Sequence, residues 1–224
     1  MEDIRYLGRG KDAIVRLGSV LLPPSDEFNT HLRRAAIFIY GIGLDDFGDE
    51  VVRGVVLDNP TPFTMAEMSP GTVVGPLGSN LLWRGGGTGG EAAMLLHSCG
   101  EIVGGSPIGD SGIHEGQLQE AMDSCDEGET SVDQYKFFFN YCQFSPAELE
   151  DMMDQEYEDG DAWMSVEVPA EVVLNDLWNK GDCWKFLRKA IRLRGFGTEE
   201  GEAGARDGIA AEEEEDNTEG PYGP

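Results

Sequence analysis

The sequence predicts an α+β fold for a single domain in this 224-residue chain. Three observations support that class. Short apolar runs bounded by Pro, Gly, Asn or Asp are typical of strands. Two other segments carry apolar residues at helical spacing behind residues that can cap a helix. Strands and helices are mixed without the regular alternation of βαβ units, which favours α+β over a doubly wound parallel sheet.

The first half of the chain predicts five strands. They share short apolar runs that end at turn residues: 18–22, 35–40, 51–57, 81–83 and 94–97. Pro23 and Pro24 end the first, and Asn59 and Pro60 end the third. A polar loop at 41–50 joins the second and third strands, so we expect these two to form a hairpin.

The second half predicts helices packed on further strands. Residues 115–125 place Leu118, Met122 and Cys125 at helical spacing, and the aromatic run at 136–144 predicts a buried strand. Residues 163–168 predict another strand. The last helix is expected at 183–194, with Asp182 as its cap and an apolar face formed by Trp184, Leu187 and Ile191.

The clearest helix start in the chain follows the aromatic strand. Ser145 can accept a hydrogen bond as N-cap, Pro146 suits the first helical position, and Glu148 completes a capping box. The residues that should face the sheet are Leu149, Met152, Met153 and Tyr157.

Charge divides the chain into a body and a tail. The chain has 43 acidic and 16 basic residues and a net charge of −27. Residues 198–224 hold ten of the acids and a single base, Arg206, so we expect a disordered acidic tail after a domain at 18–197 and an N-terminal extension at 1–17. This charge disfavours binding to nucleic acid and to anionic membranes, because both depend on Lys and Arg.

The sequence also predicts the compartment of the protein and the redox state of its cysteines. No apolar run approaches the ~20 residues that cross a bilayer, and residues 1–3 do not begin a secretory signal or transit peptide. We therefore expect a soluble intracellular protein. The four cysteines form no C-x-x-C pair, which predicts reduced and mostly buried thiols at Cys99, Cys125, Cys142 and Cys183.

Several short sequences stand in a fixed order along the chain. Residues 19–23 read SVLLP and precede Arg33 and Arg34, and residues 53–60 read RGVVLDNP. GGG at 85–87 and LHS at 96–98 follow, and then NYCQFSPAELE at 140–150. Together they resemble the motifs of the YqgE/AlgH family, which includes algal and plant members, over residues 18–195.

The resemblance can be stated position by position. The positions that agree with the family motifs are Gly54, Leu57, Pro60, Gly85, Gly86, His97, Tyr141, Pro146, Leu149, Glu150 and, near the Trp after the helix, Trp163. The positions that depart from them are Asp58 for Asn, Gly87 for Pro, Asn140 for Gly, Phe144 for Trp and Glu148 for Gln.

The resemblance implies a fold and little chemistry. It implies an α+β domain with a mixed, strongly bent β-sheet and flanking helices. The family has no agreed enzymatic reaction, and the label of transcriptional regulator that some members carry fits this acidic chain poorly. Members from photosynthetic eukaryotes are expected in the plastid stroma, and others in the cytoplasm.

The glycine-rich segment has two interpretations. Gly85, Gly87 and Gly90 fit G-x-G-x-x-G after a predicted strand, and Asp110 lies twenty residues after Gly90, as in a dinucleotide-binding fingerprint. The following segment is too short for a crossover helix, so we favour a structural turn and keep binding of a phosphorylated ligand as the alternative.

Two other clusters are weaker. His97 and Cys99 would share a strand face and could pair as base and thiol, but no third residue that would orient them is evident, so a half-buried histidine beside a buried cysteine is favoured. The run that contains Asp154, Glu156, Glu158 and Asp161 fails the register of a calcium loop. It is predicted as a solvated acidic helix end, with a weak surface site for Ca²⁺ or Mg²⁺ as the alternative. His31 and His114 lack partners at zinc spacing.

The last helix carries five bases: Lys185, Arg188, Lys189, Arg192 and Arg194. Such a helix can bind a membrane or a partner helix. We favour docking of its apolar face on the core, with its charges paired inside the protein.

Three functions remain open. The favoured hypothesis is a non-enzymatic protein-interaction or regulatory module with no cofactor, metal or catalytic residue, whose partner is another protein. The alternatives are a protein that binds a nucleotide or other phosphorylated ligand at Gly85–Gly90, and a transcriptional regulator. A polar cleft, a basic face or an exposed apolar patch would discriminate among the three. No oligomeric state follows from the sequence.

Overall fold

The computed structural model describes residues 3–155, 157 and 160–196. The predicted tail at 198–224 lies outside the described residues, as do Glu156 and Glu158. The strands are β1 (Arg5–Arg9), β2 (Ser19–Leu22), β3 (Ile37–Leu44), β4 (Glu50–Val56), β5 (Pro60–Thr64), β6 (Leu81–Arg84), β7 (Thr88–His97), β8 (Ser106–Pro107), β9 (His114–Glu115), β10 (Tyr135–Phe144) and β11 (Met164–Glu167). The α-helices are α1 (Met65–Met68), α2 (Gly100–Val103), α3 (Leu118–Asp126), α4 (Pro146–Asp154), α5 (Ala170–Leu174) and α6 (Asp182–Leu193).

The strands form one mixed sheet, in the order β1-β11-β2-β3-β4-β10-β7-β9-β8. β6 pairs parallel with β10, and β5 pairs with β6 beside this path. β10 is shared: its first half pairs with β6 and β7, and residues 142–144 pair with β4. Asn140, whose φ is 57°, lies at the shift of register between β10 and β7, and the partner changes after Tyr141, which still pairs with Thr88 of β7. The α+β class and the mixed sheet are confirmed.

Both faces of the sheet are buried. On β3, Phe38 packs toward α5 and α6 in one cluster, whereas Ile37 and Ile39 pack toward α4 in another. A third cluster lies under α3 and includes Met122 and Phe137. This alternation follows from the two-residue period of a strand, and it explains why the predicted strands are apolar at consecutive positions.

Most predicted elements are present, but the loop at 41–50 is wrong in its first part. β3 continues to Leu44, which pairs with Glu50. Only residues 45–49 form the turn, in which the carboxylate of Asp45 accepts hydrogen bonds from the N–H groups of Phe47 and Asp49. Gly41 and Gly43 suggested a loop because glycine is poorly represented in strands, yet the pairing with β4 holds this segment extended.

The N-terminal segment contributes a strand that the sequence did not predict. β1 pairs antiparallel with β11 at one edge of the sheet, and Ile4 just before it is buried. Residues 1–17, predicted as an extension, therefore include a paired part of the sheet. The sequence also gave no prediction of β5, β8, β9, α1, α2 or α5, which have two to five residues each.

The helices begin largely where local chemistry favours them. Ser145 and Glu148 form the predicted capping box of α4, and Leu149 and Met153 are buried on its inner face. For α6 the predicted cap is wrong: Gly181, at φ 81°, is the N-cap and Asp182 is the first helical residue. Within the described part of the chain, no helix has both the length and the apolar character needed to cross a bilayer.

Candidate functional site

A concave cleft of about 450 Å³ lies where three segments meet: the turn at 29–35, the end of β4 and the connection from β6 to β7. Four exposed basic side chains surround it: Arg33, Arg34, Arg84 and Lys180. None of the four forms an ion pair with any residue that the structure describes. Their positive charge is therefore available to a ligand.

The turn that presents the arginines is held by a buried carboxylate, Glu27. Its Oε2 accepts hydrogen bonds from the Tyr157 hydroxyl at 2.8 Å and from Trp163 Nε1 at 3.1 Å, and its Oε1 accepts one from Asn29 N at 2.9 Å. Arg33 donates its Nε–H to the backbone oxygen of Glu27 at 2.8 Å. Because this bond uses Nε, it holds the guanidinium of Arg33 to the turn without using either terminal nitrogen.

Arg34 adopts a backbone conformation that is unusual for its residue type. Its φ is 57°, in the left-handed region that side chains with a Cβ occupy at a cost of about 1–2 kcal/mol. Its guanidinium carbon lies 5.9 Å from the centre of the Trp184 ring, and the ring is fixed by a bond of 2.8 Å from Nε1 to Pro23 O. Backbone strain of this kind clusters at active sites and ligand-binding sites.

Asp58 lies buried beside the cleft. Its two carboxylate oxygens accept hydrogen bonds from Ala36 N at 3.3 Å and from Trp184 N at 3.2 Å. Because Trp184 is in the first turn of α6, Asp58 caps that helix from another part of the chain. Burial raises the pKa of Asp58 to about 6, although the two backbone bonds act in the opposite direction. At neutral pH the carboxylate is mainly ionised.

The glycine-rich segment forms one wall of the cleft, and packing explains most of its glycines. A Cβ on Gly85 would lie 2.4 Å from Asn140 O, and one on Gly86 would lie 2.1 Å from the carbonyl carbon of Tyr141. Gly87 and Gly90 face open space, and Gly90 lies within β7. Gly86 and Gly87 line the cleft, whereas Gly85 and Gly90 do not.

A dinucleotide fingerprint needs a helix after the glycines, and here the strand β7 follows. Asp110, the acid expected to contact a ribose, lines a different cleft, with Arg16 and Ser111. The segment is thus a tight connection between strands, as favoured from the sequence.

His97 and Cys99 do not share a strand face, because β7 ends at His97 and Cys99 is the N-cap of α2. His97 is completely buried, not half-buried, and its Nδ1 accepts a bond from Cys99 N at 3.3 Å. Burial and the stacked ring of His114 lower the pKa of His97 to about 4. Burial raises the pKa of the Cys99 thiol. These states are the reverse of an activated thiol–imidazole pair.

The predicted acidic cluster is divided. Asp154 ends α4 and is exposed, whereas Asp161 accepts a bond of 2.5 Å from the Arg188 guanidinium and another from Ser25 N. Burial would raise the pKa of Asp161, but Arg188 and the backbone donors outweigh it and hold the pKa below its usual range. Among the residues that the structure describes, no three acidic, His or Cys side chains are grouped to hold a metal.

Packing explains most of the remaining motif positions. A Cβ on Gly54 would lie 2.6 Å from Ile37 Cγ2, and Leu57 and Trp163 are fully buried. Tyr141 packs edge-on against Tyr40. Pro60 begins β5, and Glu150 is exposed on α4. The four cysteines are free and buried, which confirms that prediction.

The sequence did not single out Lys136 or the cleft. Lys136 is 2% exposed, lies 3.7 Å from the centre of the Trp83 ring, and donates hydrogen bonds to three carbonyl oxygens: Leu57 O (2.9 Å), Asn175 O (2.7 Å) and Val173 O (3.4 Å). Burial lowers its pKa to about 7. The position of a lysine inside the aromatic run could have indicated that Lys136 is buried. The bases of the cleft come from distant segments and form no local motif that could have indicated the site.

Comparisons with known proteins agree with the fold. An AlgH-like family model matches residues 42–194. The protein DIP2367 of Corynebacterium diphtheriae is similar in structure, with a TM-score of 0.58 and 14% identity over 82% of this chain and 89% of that one. The solution structure of AlgH from Pseudomonas aeruginosa is also similar, with a TM-score of 0.53 and 14% identity over 79% of this chain and 87% of that one. No curated protein matches the chain. Because the family model spans more than half of the sequence, the chain belongs to the AlgH-like family.

Proposed function

We propose that this chain is a non-catalytic binding protein that holds a small phosphorylated ligand in the basic cleft. One observation carries the proposal: in a chain of net charge −27, four basic side chains without acidic partners among the described residues surround a single concave site. Such a charge distribution selects for a local anion, because the rest of the surface repels one.

The chemistry of the lining suits phosphate. Arg33 and Arg84 each use Nε in a backbone bond, to Glu27 O and Gly86 O, so their terminal nitrogens can make the paired bonds that guanidinium forms with phosphate oxygens. The open space at Gly87 lets a ligand approach the backbone. The volume of about 450 Å³ lies within the range of small-molecule sites.

The state of the cysteine in the cleft favours a binding site over a catalytic site. Cys142 lines the cleft, and burial raises its pKa to about 12. A thiol with that pKa stays protonated at neutral pH and is a weak nucleophile.

The test is ligand-induced stabilisation measured by thermal unfolding with inorganic phosphate, sugar phosphates and nucleoside monophosphates. A ligand at one hundred times its Kd should add about 2.7 kcal/mol to the free energy of unfolding. The Arg33→Gln/Arg84→Gln variant should lose this gain. Lys11→Gln, which removes an exposed base outside the cleft, should keep it. Equal stabilisation of both variants, or of neither, would contradict the proposal.

Arg34 offers a sharper version of the test. Arg34→Gly and Arg34→Ala both remove the guanidinium and should weaken phosphate binding equally. Only the glycine relieves the φ of 57°, so the glycine variant should be the more stable by about 1 kcal/mol. Two readouts thus separate the binding role of the side chain from its backbone strain.

A protein-interaction module is the second candidate, and the β3–β4 hairpin favours it. Ile42, Leu44 and Phe47 are 48%, 65% and 91% exposed at its tip. Neighbouring apolar side chains exposed on one element mark contact sites. A partner retained from a cell extract by the full chain should be released by Ile42→Ser/Leu44→Ser/Phe47→Ser and kept by Arg33→Gln/Arg84→Gln. The opposite pattern would place the contact at the cleft.

A further inference from the structure

A strip of basic side chains runs along the outer face of α6. Lys185, Lys189 and Arg192 are exposed and lie four and three residues apart, which places them on one side of the helix. They line a shallow groove of about 470 Å³ together with Trp184 and Leu193. Lys185 approaches Asp182 at 3.8 Å, and neither Lys189 nor Arg192 forms an ion pair within the described part of the chain.

The sequence itself contains a segment of opposite charge close by. The chain continues for 28 residues beyond Phe196, from residue 197 to residue 224. Residues 212–216 read EEEED, and Ile209 with two alanines precedes them. This combination matches a groove that has three exposed bases and, at its end, the side chain of Leu193, which is 69% exposed.

Chain length allows the two to meet. Glu212 lies sixteen positions after Phe196 along the chain, and two ends of a random coil that are sixteen positions apart would lie about 22 Å from each other on average. The 12 residues of α6 extend about 18 Å. The acidic run can therefore reach every part of the strip, at an effective concentration on the order of millimolar.

We propose that the basic strip on α6 is a binding surface for acidic polypeptide, and that its occupant is residues 209–216 of this same chain. The proposal is independent of the cleft, because none of its three bases lines that cleft. Single exposed ion pairs contribute about 0–1 kcal/mol each. Several pairs made within one molecule are enough for occupancy at low salt, and screening should remove it at high salt.

The first experiment follows the backbone amide signals of the full chain by NMR. The variant Glu212→Gln/Glu213→Gln/Glu214→Gln/Glu215→Gln/Asp216→Asn removes the acidic run. At about 0.01 M salt, where the screening length is about 30 Å, the signals of this variant should differ from the native ones along α6 and at Trp184 Nε1. At about 1 M salt, where the screening length is about 3 Å, the two sets of signals should coincide.

A control removes charge elsewhere. Glu120→Gln/Glu127→Gln/Glu129→Gln changes three exposed acids near α3 and should leave the α6 signals unmoved. Unchanged α6 signals in the tail variant would overturn the proposal. Changes confined to Arg33, Arg84 and Lys180 would also overturn it, since they would place the tail in the cleft.

The second experiment supplies the segment in trans. A peptide of residues 207–219 should bind the tail variant, and Lys185→Gln/Lys189→Gln/Arg192→Gln in that variant should raise its Kd by about tenfold, equivalent to about 1.4 kcal/mol. The native chain should bind the peptide more weakly than the tail variant, because its own tail competes. Equal affinity for all three proteins would contradict the assignment.

Discussion

At the scale of single residues, three of the described residues other than glycine have a left-handed backbone conformation. Arg34, Asn140 and Gln117 have φ values of 57°, 57° and 60°. Asn140 stands where the family motif has glycine, and asparagine tolerates this conformation better than most residues. Its side-chain amide, with nitrogen toward the β7 backbone, donates to Gly90 O at 2.7 Å and Gly89 O at 3.1 Å. Asparagine at this position therefore keeps the left-handed conformation and adds side-chain bonds between β10 and β7.

We predict opposite effects for two substitutions at these positions. Gln117→Gly should raise the free energy of unfolding by about 0.5–1 kcal/mol, because Gln117 is exposed and only its backbone strain is removed. Asn140→Ala should lower it by at least about 1 kcal/mol, because the strain stays and the amide bonds are lost. Urea unfolding measures both changes. A loss of stability in Gln117→Gly would show that the left-handed conformation there carries no strain.

At the scale of elements, Lys136 joins β10 to the turn after β4 and to the end of α5. The folded protein releases the Lys136 proton near pH 7, whereas an unfolded lysine holds it to about pH 10.5. Between these values the unfolded state binds more protons, so stability rises with pH. Asp58 affects stability at lower pH. Its pKa is raised from 3.8 to about 6, so its contribution to the free energy of unfolding falls as pH rises through that range.

The pH dependence of stability should reveal Lys136. Between pH 7 and pH 9, the free energy of unfolding of the native chain should rise relative to Lys136→Met, with a slope that approaches about 1.4 kcal/mol per pH unit. Above pH 9 the buried thiols and tyrosines, whose pKa values are raised, lower the stability of both proteins as pH rises, so the difference between the two curves reports Lys136. Parallel curves for the two proteins would mean that Lys136 keeps an ordinary pKa.

Elements were predictable where their signals are local. The start of α4 follows from Ser145, Pro146 and Glu148, which act within one turn. β1 could not be predicted, because its five residues carry little apolar character and are extended only by pairing with β11, more than 150 residues away. The cleft is harder still: Arg33, Arg84 and Lys180 meet only through the sheet topology, which no spacing in the sequence encodes.

At the scale of the whole molecule, charge is segregated. Eight of the 16 bases surround the cleft or lie on α6: Arg33, Arg34, Arg84, Lys180, Lys185, Arg188, Lys189 and Arg192. Trp184 lies between the two groups, with guanidinium carbons of Arg34 and Arg188 at 5.9 and 5.5 Å from its ring centre. The acidic residues therefore outnumber the bases most strongly over the rest of the chain, where like charges repel one another.

Salt should stabilise the folded state as a result. Raising sodium chloride from about 0.01 M to about 1 M should increase Tm, by about 3 °C for each kcal/mol of repulsion that is screened. The control Glu120→Gln/Glu127→Gln/Glu129→Gln should show a smaller increase, because it begins with less repulsion. A Tm that falls with salt would indicate that ion pairs such as Asp161–Arg188 outweigh the net repulsion.

The setting of Lys136 also bears on how the chain reaches its folded state. The three carbonyl oxygens that accept hydrogen bonds from Lys136 Nζ belong to residues 79, 37 and 39 positions away along the chain. Contacts between such distant residues form late, since each requires a long loop to close first. Until all three oxygens arrive, the ammonium group keeps its water. We therefore expect Lys136→Met to change the unfolding rate more than the folding rate, so that the lysine affects the lifetime of the native state more than the speed of its formation.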